Sequence, residues 1–281
     1  MLKPGVYSLT QAEYFALPAV SRSELWDMKG ITDAAYKHLR ANPKPPSNDM
    51  MLGTAVHTLC FEPQDMAYRF PEAPKVHANT NEFKEWKAAL KPDQLRMPDG
   101  WLDLAKEMHA ALVADPFASK LLKGYHEKTF VWLDEETGLL CKCKPDVTHF
   151  FARILVDLKK TDDASPEAFA MSVYKYGYYF QNAFYIDGVT KAFEQSEIKL
   201  DLPGVPDRFA FLAVEDKPPY QKAYYELEPY WIDQGRREVR ALLNRYKAYK
   251  DREAGGQLQA SFESRIKRLE PKPFMIPRER P

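Results

Sequence analysis

Lys144-Pro145-Asp146 and, eleven positions after that aspartate, Asp157-Leu158-Lys159 decide how this chain is read. Glu135-Glu136-Thr137-Gly138, just upstream, is a turn signal. Residues 128–133 and 139–144 on either side of it are rich in strand-favouring side chains and alternate with period two, so they predict a β-hairpin. Residues 153–159 predict a third strand after a short turn, and the simplest arrangement of the three is an antiparallel meander. Side chains two apart on a strand share a face. Asp157 and Lys159 therefore point one way, and Ile154, Val156 and Leu158 the other. Two charged groups on an otherwise apolar strand are costly unless something pairs with them.

A divalent cation would pair with them. Hydrolysing a phosphodiester needs a cation, a deprotonated water and a further positive group near the attacked phosphorus, and two acids with a lysine supply the means. Asp146 and Asp157 are the expected metal ligands, with the backbone carbonyl of Leu158 as a further one. Oxygen donors of this kind suit Mg²⁺, with Mn²⁺ as a substitute. Lys159 would orient or deprotonate the water and stabilise developing charge. Taken alone, these residues equally describe a solvated strand edge with a surface ion pair.

Three other segments tip the balance. Leu52-Gly53-Thr54-Ala55-Val56-His57-Thr58-Leu59 predicts a buried helix in which Gly53 permits a close approach and His57 is either a satisfied core residue or a ligand. Gln181 and Tyr185 stand at i and i+4 and share one helix face. Glu127 heads the first hairpin strand.

In this order, His57, Glu127, Pro145-Asp146, Asp157-Leu158-Lys159 and Gln181-x-x-x-Tyr185 resemble the PD-(D/E)XK nuclease superfamily in its RecB-like branch, and more closely the RecE-type exonuclease VIII group. Cys143-Lys144-Pro145-Asp146, Gln181-Asn182-Ala183-Phe184-Tyr185-Ile186-Asp187-Gly188 and the segment from Phe211 to Tyr220 carry the same similarity, which runs from about Tyr14 to near Asp251. The resemblance implies a restriction-endonuclease-like α/β core, a central mixed sheet flanked by helices. It implies that His57, Asp146 and Asp157 bind metal, that Lys159 is the motif lysine, and that Gln181 and Tyr185 line the site and position the phosphate or the strand. Glu127 matches a less constant acid, as a supporting or second-metal residue. Asp157 stands where much of the superfamily has Glu, as RecE-type sequences commonly do.

Local signals agree with that fold. Ser165-Pro166-Glu167 starts a helix after the third strand, a second helix covers about 178–193, two strands at 207–215 and 220–228 are joined by Lys217-Pro218-Pro219, and a long helix covers about 230–252. Residues 1–50 are expected as a helical N-terminal arm, 51–252 as the nuclease core and 253–281 as a C-terminal tail, all packed as one domain.

The 281 residues carry 40 basic and 40 acidic side chains, so any basic channel comes from distribution and not from net charge. Lys142, Lys144, Lys159, Lys160, Lys175 and Lys222 gather near the proposed site in sequence. Arg236, Arg237, Arg240, Arg245 and Lys247 make either a basic stripe or a solvated helix face. Tyr174, Tyr176, Tyr178 and Tyr179 invite base stacking, but packing accounts for most of them at this spacing. Ser21 and Ser23 suit helix capping.

Three cysteines, Cys60, Cys141 and Cys143, fit structural roles in a reducing compartment, without the four that some RecB-like relatives use for an iron–sulfur cluster. The absence of a secretory signal and of a long apolar run predicts a cytoplasmic protein, bacterial or in a phage-infected cell, with no membrane partner. The resemblance implies a Mg²⁺-dependent exonuclease that degrades one strand of linear double-stranded DNA, 5′→3′, leaving an overhang. It further implies DNA ends and a RecT-like single-strand annealing protein as partners, and a ring-shaped homo-oligomer. The alternatives are an endonuclease of the same superfamily and a catalytically inactive DNA-binding module.

Overall fold

From the N-terminus, the computed structural model runs through β1 (Gly5–Tyr7), α1 (Gln11–Ala16), β2 (Val20–Ser21), α2 (Arg22–Asp27), α3 (Asp33–Ala41) and α4 (Asn48–Phe61). Next come α5 (Met66–Arg69), α6 (Asn81–Ala88), α7 (Trp101–Ala114) and α8 (Pro116–Leu121), mostly helical cover for one face of a sheet. The centre is β3 (Tyr125–His126), β4 (Thr129–Asp134), β5 (Leu139–Cys143), β6 (Val147–His149) and β7 (Ile154–Thr161). The chain then forms α9 (Pro166–Tyr176), α10 (Tyr178–Glu194), β8 (Arg208–Glu215), β9 (Lys222–Glu226) and α11 (Pro229–Ala254). Residues 2–91, 93–197 and 204–262 are described, so most of the expected tail, 263–281, lies outside them.

The hairpin forms as its turn signal predicts, β4 against β5 with Phe130 opposite Cys143. The third strand does not join it. β4 and β5 belong to a four-stranded sheet in the order β1-β4-β5-β2, whereas β7 lies in a second, five-stranded sheet, β3-β6-β7-β8-β9. This corrects the expected single meander, and Pro145 gives the reason: proline offers no N–H to a ladder. The chain leaves the first sheet after Cys143 and enters the second at Val147, which pairs with Val156. The β3–β4 connection crosses between the sheets at the same level, through Glu127, whose φ is 52°. Glu127 donates its N–H to the carbonyl of Asp146 at 3.1 Å. Two acids thus stand at the seam where two chain segments change sheets.

β7 and β8 are parallel, joined across α9 and α10, and the remaining pairs of that sheet are antiparallel. Alternation along β7 divides the core as expected. Ile154, Val156 and Leu158 pack with α4, α7 and α8, while Leu155 packs with the aromatic side of α9, α10 and α11. Asp157 and Lys159 share the face of Leu155.

The N-terminal segment departs from a purely helical arm. β1 pairs with β4, and β2 runs parallel to β5. The expected boundaries at 50 and 252 fall inside α4 and α11. Ser21 caps α2 in a capping box with Glu24, whereas Ser23 lies within that helix. Gly53 needs no special room, because an added Cβ would meet Lys160 Cβ only at 4.0 Å. No described helix is long and apolar enough to cross a membrane.

Candidate active site

β7 supplies Asp157 and Lys159, and α10 lies across them. The Gln181 amide uses both ends: its Nε2 donates to Asp157 Oδ1, and its Oε1 accepts from Lys159 Nζ at 3.2 Å. Lys159 Nζ also forms a close ion pair with the buried Asp157 Oδ2, so the ammonium bears on both the carboxylate and the amide that holds it.

Asp146 sits at the seam. Its Oδ2 accepts the Leu158 N–H at 2.7 Å, a bond that replaces a ladder partner. Burial, followed by the nearby charges of Asp157 and Glu127, pushes its carboxyl well above the usual range despite Lys159. Three acids thus influence one another here, with Lys144 beside Glu127 and Lys159 beside Asp157.

His57 reaches in from α4. Its Nε2 lies 2.8 Å from the Leu158 carbonyl, which can only accept, so Nε2 carries the proton. Burial holds the imidazole below its ordinary value and keeps it neutral, against the pull of Asp157. Nδ1 then turns a lone pair toward Asp146 Oδ2, 3.6 Å away. Two electron-rich atoms at that separation want a cation or a proton between them. A histidine that donates its other N–H to a carbonyl is the usual posture of a metal ligand.

Lys159 remains an ammonium. Burial works to lower its pKa, but Asp157, Tyr178 and Asp146 outweigh burial and raise it. Tyr185, one turn beyond Gln181, is kept a neutral phenol by burial and by Tyr14, Cys143, Asp157 and Asp146.

Glu127 forms an ion pair with Lys144 at 2.8 Å, and Lys144 also donates to Gln11 at 2.9 Å. The expected supporting acid is thus tied to a lysine. Among the described residues no three His, Cys, Asp or Glu side chains form a ready-made metal cluster. Mg²⁺ does not need one, since it keeps several waters and binds through one or two carboxylates. The Asp157 carboxylate, beside Lys159, and the facing Asp146–His57 pair supply donors that fit such an ion.

All of these residues except Asp157, which lies just beneath the surface, line one open cleft of about 1070 Å³. Gln11, Tyr14, Arg22 and Lys175 line it too. Sequence reasoning gave the first three no role there, because they enter from strands and helices distant in the chain. Lys142 is spent on the carbonyls of Tyr14 and Leu17, both at 2.7 Å. The basic residues of α11 are committed elsewhere: Arg236 to Asp187, Arg240 to Asp134, and Arg245 to the carbonyls of Met28 and Ile31.

A family model described as "PDDEXK-like domain of unknown function (DUF3799)" matches residues 21–257. The chain belongs to this PDDEXK-like family. A search of curated proteins finds no match. Among solved structures, a crystal structure described as a "Putative exonuclease" from Eubacterium rectale is similar at a TM-score of 0.61 and 14% identity, covering 95% of this chain and 97% of that one. At that identity the likeness speaks to the fold. The PDDEXK-like domain, a mixed α/β core flanked by helices, supports a nuclease. Its matched span begins at Ser21, so Gln11 and Tyr14 reach the cleft from outside it.

Proposed function

We propose that the protein is a Mg²⁺-dependent deoxyribonuclease that degrades one strand of linear duplex DNA from an end, with Mn²⁺ able to substitute. The convergence of Asp146, Lys159, Gln181 and Tyr185 on one cleft, with the buried Asp157 carboxylate held beside them by Gln181 and Lys159, carries the proposal. The similarity to a protein described as an exonuclease agrees with it. The RecE-type resemblance adds 5′→3′ polarity, a single-stranded overhang handed to an annealing protein, and a ring-shaped assembly as parts of the same proposal.

Asp146, His57 Nδ1 and Asp157 would hold the cation, with the second lone pair of the Leu158 carbonyl beside them. When bound, the cation supplies positive charge against the phosphodiester and acidifies water. Lys159, buried and charged, offsets negative charge that develops on the phosphate. Gln181 holds Asp157 and Lys159 in register, and the Tyr185 phenol can donate to a phosphate oxygen. Glu127 and Lys144 fix the approach to Asp146 from the seam.

Digestion of linear and closed circular duplex DNA, with Mg²⁺ and with EDTA, tests this. The linear substrate should disappear only with metal, and Asp157→Asn should slow its loss by at least about 10²-fold while the melting temperature stays near that of the parent. Nicked circles would instead identify an endonuclease, and failure to cut either substrate would sink the nuclease proposal.

A further inference from the structure

Six cations line the cleft: Arg22, Arg69, Lys144, Lys159, Lys160 and Lys175. Four have acidic partners within ion-pair reach: Arg69 with Glu62, Lys144 with Glu127, Lys159 with Asp157, and Lys160 with Asp216 and Asp49. Arg22 and Lys175 have none among the described residues. Arg22 spends its guanidinium on the carbonyls of Tyr176 and Gly177 at the end of α9, and its Nε is buried without a partner. Uncompensated positive charge in the cleft therefore lies on one rim, where α2 meets the end of α9.

The same rim carries an aromatic column. Lys159 Nζ stands 4.7 Å from the centre of the Tyr178 ring. Tyr178 stacks on Phe211 at 5.5 Å and 27°, and Tyr176 lies 5.8 Å from Tyr178, tilted by 31°. Tyr176 is 47% exposed, so the row of rings reaches the surface there. Lys175 holds its ammonium 4.9 Å from that ring's centre. Tyr174 and Met171 continue the exposed apolar surface along α9, at 53% and 68% exposure.

We propose that this rim, with Tyr176 and Lys175 at its centre, is the track for unpaired nucleotides of a DNA strand passing through the cleft. Tyr176 takes a base in place of the exposed Lys175 ammonium that now lies over its ring, and Lys175 moves to the adjoining phosphate. The charge argues for a polyanion, and continuity argues for the substrate strand, because Ser172, Lys175 and Tyr176 line both the cleft and the rim. Stacking is indifferent to base identity, so the contact suits a protein that moves along any sequence. The proposal deepens the nuclease assignment and rests on it for the identity of the strand. Arg22 acts as a positioning residue that holds the end of α9 in place.

Fluorescence anisotropy of a labelled dT20 oligonucleotide, titrated with the full chain in EDTA so that no cleavage intervenes, tests the track. Tyr176→Ala should weaken binding about ten-fold, and Tyr176→Phe should stay within about two-fold of the parent. Lys175→Ala should reduce the slope of log affinity against log salt by about 0.7. Because both side chains are at the surface, unchanged melting temperatures should accompany these effects. The proposal is overturned if Tyr176→Ala binds like the parent, if Phe loses as much as Ala, or if the parent does not bind the oligonucleotide. Addition of Mg²⁺ and linear duplex DNA to the parent reads the nuclease proposal separately. An oligonucleotide bound through Tyr176 beside a duplex that is never cut sinks the nuclease proposal alone, and a duplex that is cut while the oligonucleotide binds without regard to Tyr176 sinks the track alone.

Discussion

Lys159 illustrates how a single side chain's role follows from its neighbours. Its carboxylate neighbours keep it charged although it is buried, and in the proposed reaction it would act as a fixed positive charge. Lys159→Met, which keeps the stem and removes the charge, should lower the initial cleavage rate by about 10²-fold or more. Lys159→Arg should recover little of it, because a planar fork does not reproduce a point charge held by the Gln181 amide. Wild-type rates in Lys159→Met would remove this residue from the site. Asp157, Lys159, Gln181 and Tyr185 were legible in the sequence because strand and helix periodicity alone bring each pair to one face. Arg22, Tyr14 and Gln11 were not, since the segments that bring them to the cleft are fixed by β1 and β2, which at three and two residues are too short to show a period. The divided use of His57, one nitrogen to a carbonyl and the other toward Asp146, depends on a partner 101 residues away.

Between α9 and α10 the chain turns at Gly177 with φ of 66°, and an added Cβ would lie 2.4 Å from the Trp26 ring. Both the left-handed backbone and the indole contact demand glycine there. Gly177→Ala should cost about 2 kcal/mol or more, from backbone strain plus overpacking, read as a lower denaturant midpoint. An unchanged midpoint would mean that Trp26 moves away without penalty. Elements with strong local signals were legible: the Ser165 cap, the Glu135–Gly138 turn and the long α11 all lie close to their expected limits. The split between sheets was not. Residues 139–144 and 153–159 read as successive strands of one meander, and only long-range pairing reveals that they belong to different ladders.

At the scale of the whole molecule, α11 is bound to the first sheet through a buried acid. Asp134 accepts from Arg240 at 2.8 and 2.9 Å and from the Thr137 hydroxyl at 2.6 Å. Burial alone would raise its carboxyl, but Arg240 and Thr137 outweigh burial and hold it well below the carboxylate range. A depressed folded-state pKa contributes stability that is present above the unfolded value, near 3.9, and is lost as pH falls through the folded one. Asp134→Asn should therefore lose about 2–3 kcal/mol at pH 7, and the gap to the parent should narrow below about pH 4. Urea midpoints of the two proteins at pH 7 and pH 3 measure it, and an equal gap at both would exclude the ion pair as its source. Three of the arginines offered as a DNA-binding stripe, Arg236, Arg240 and Arg245, instead fasten this helix to α10, to β4 and to the segment after α2. The seam between the sheets has a different consequence. Asp146 receives the amides of both Glu127 and Leu158, one on its carbonyl and one on its carboxylate. Its backbone and its side chain are thus both tied where the chain crosses between the sheets, so the position of this acid is coupled to how the two sheets meet.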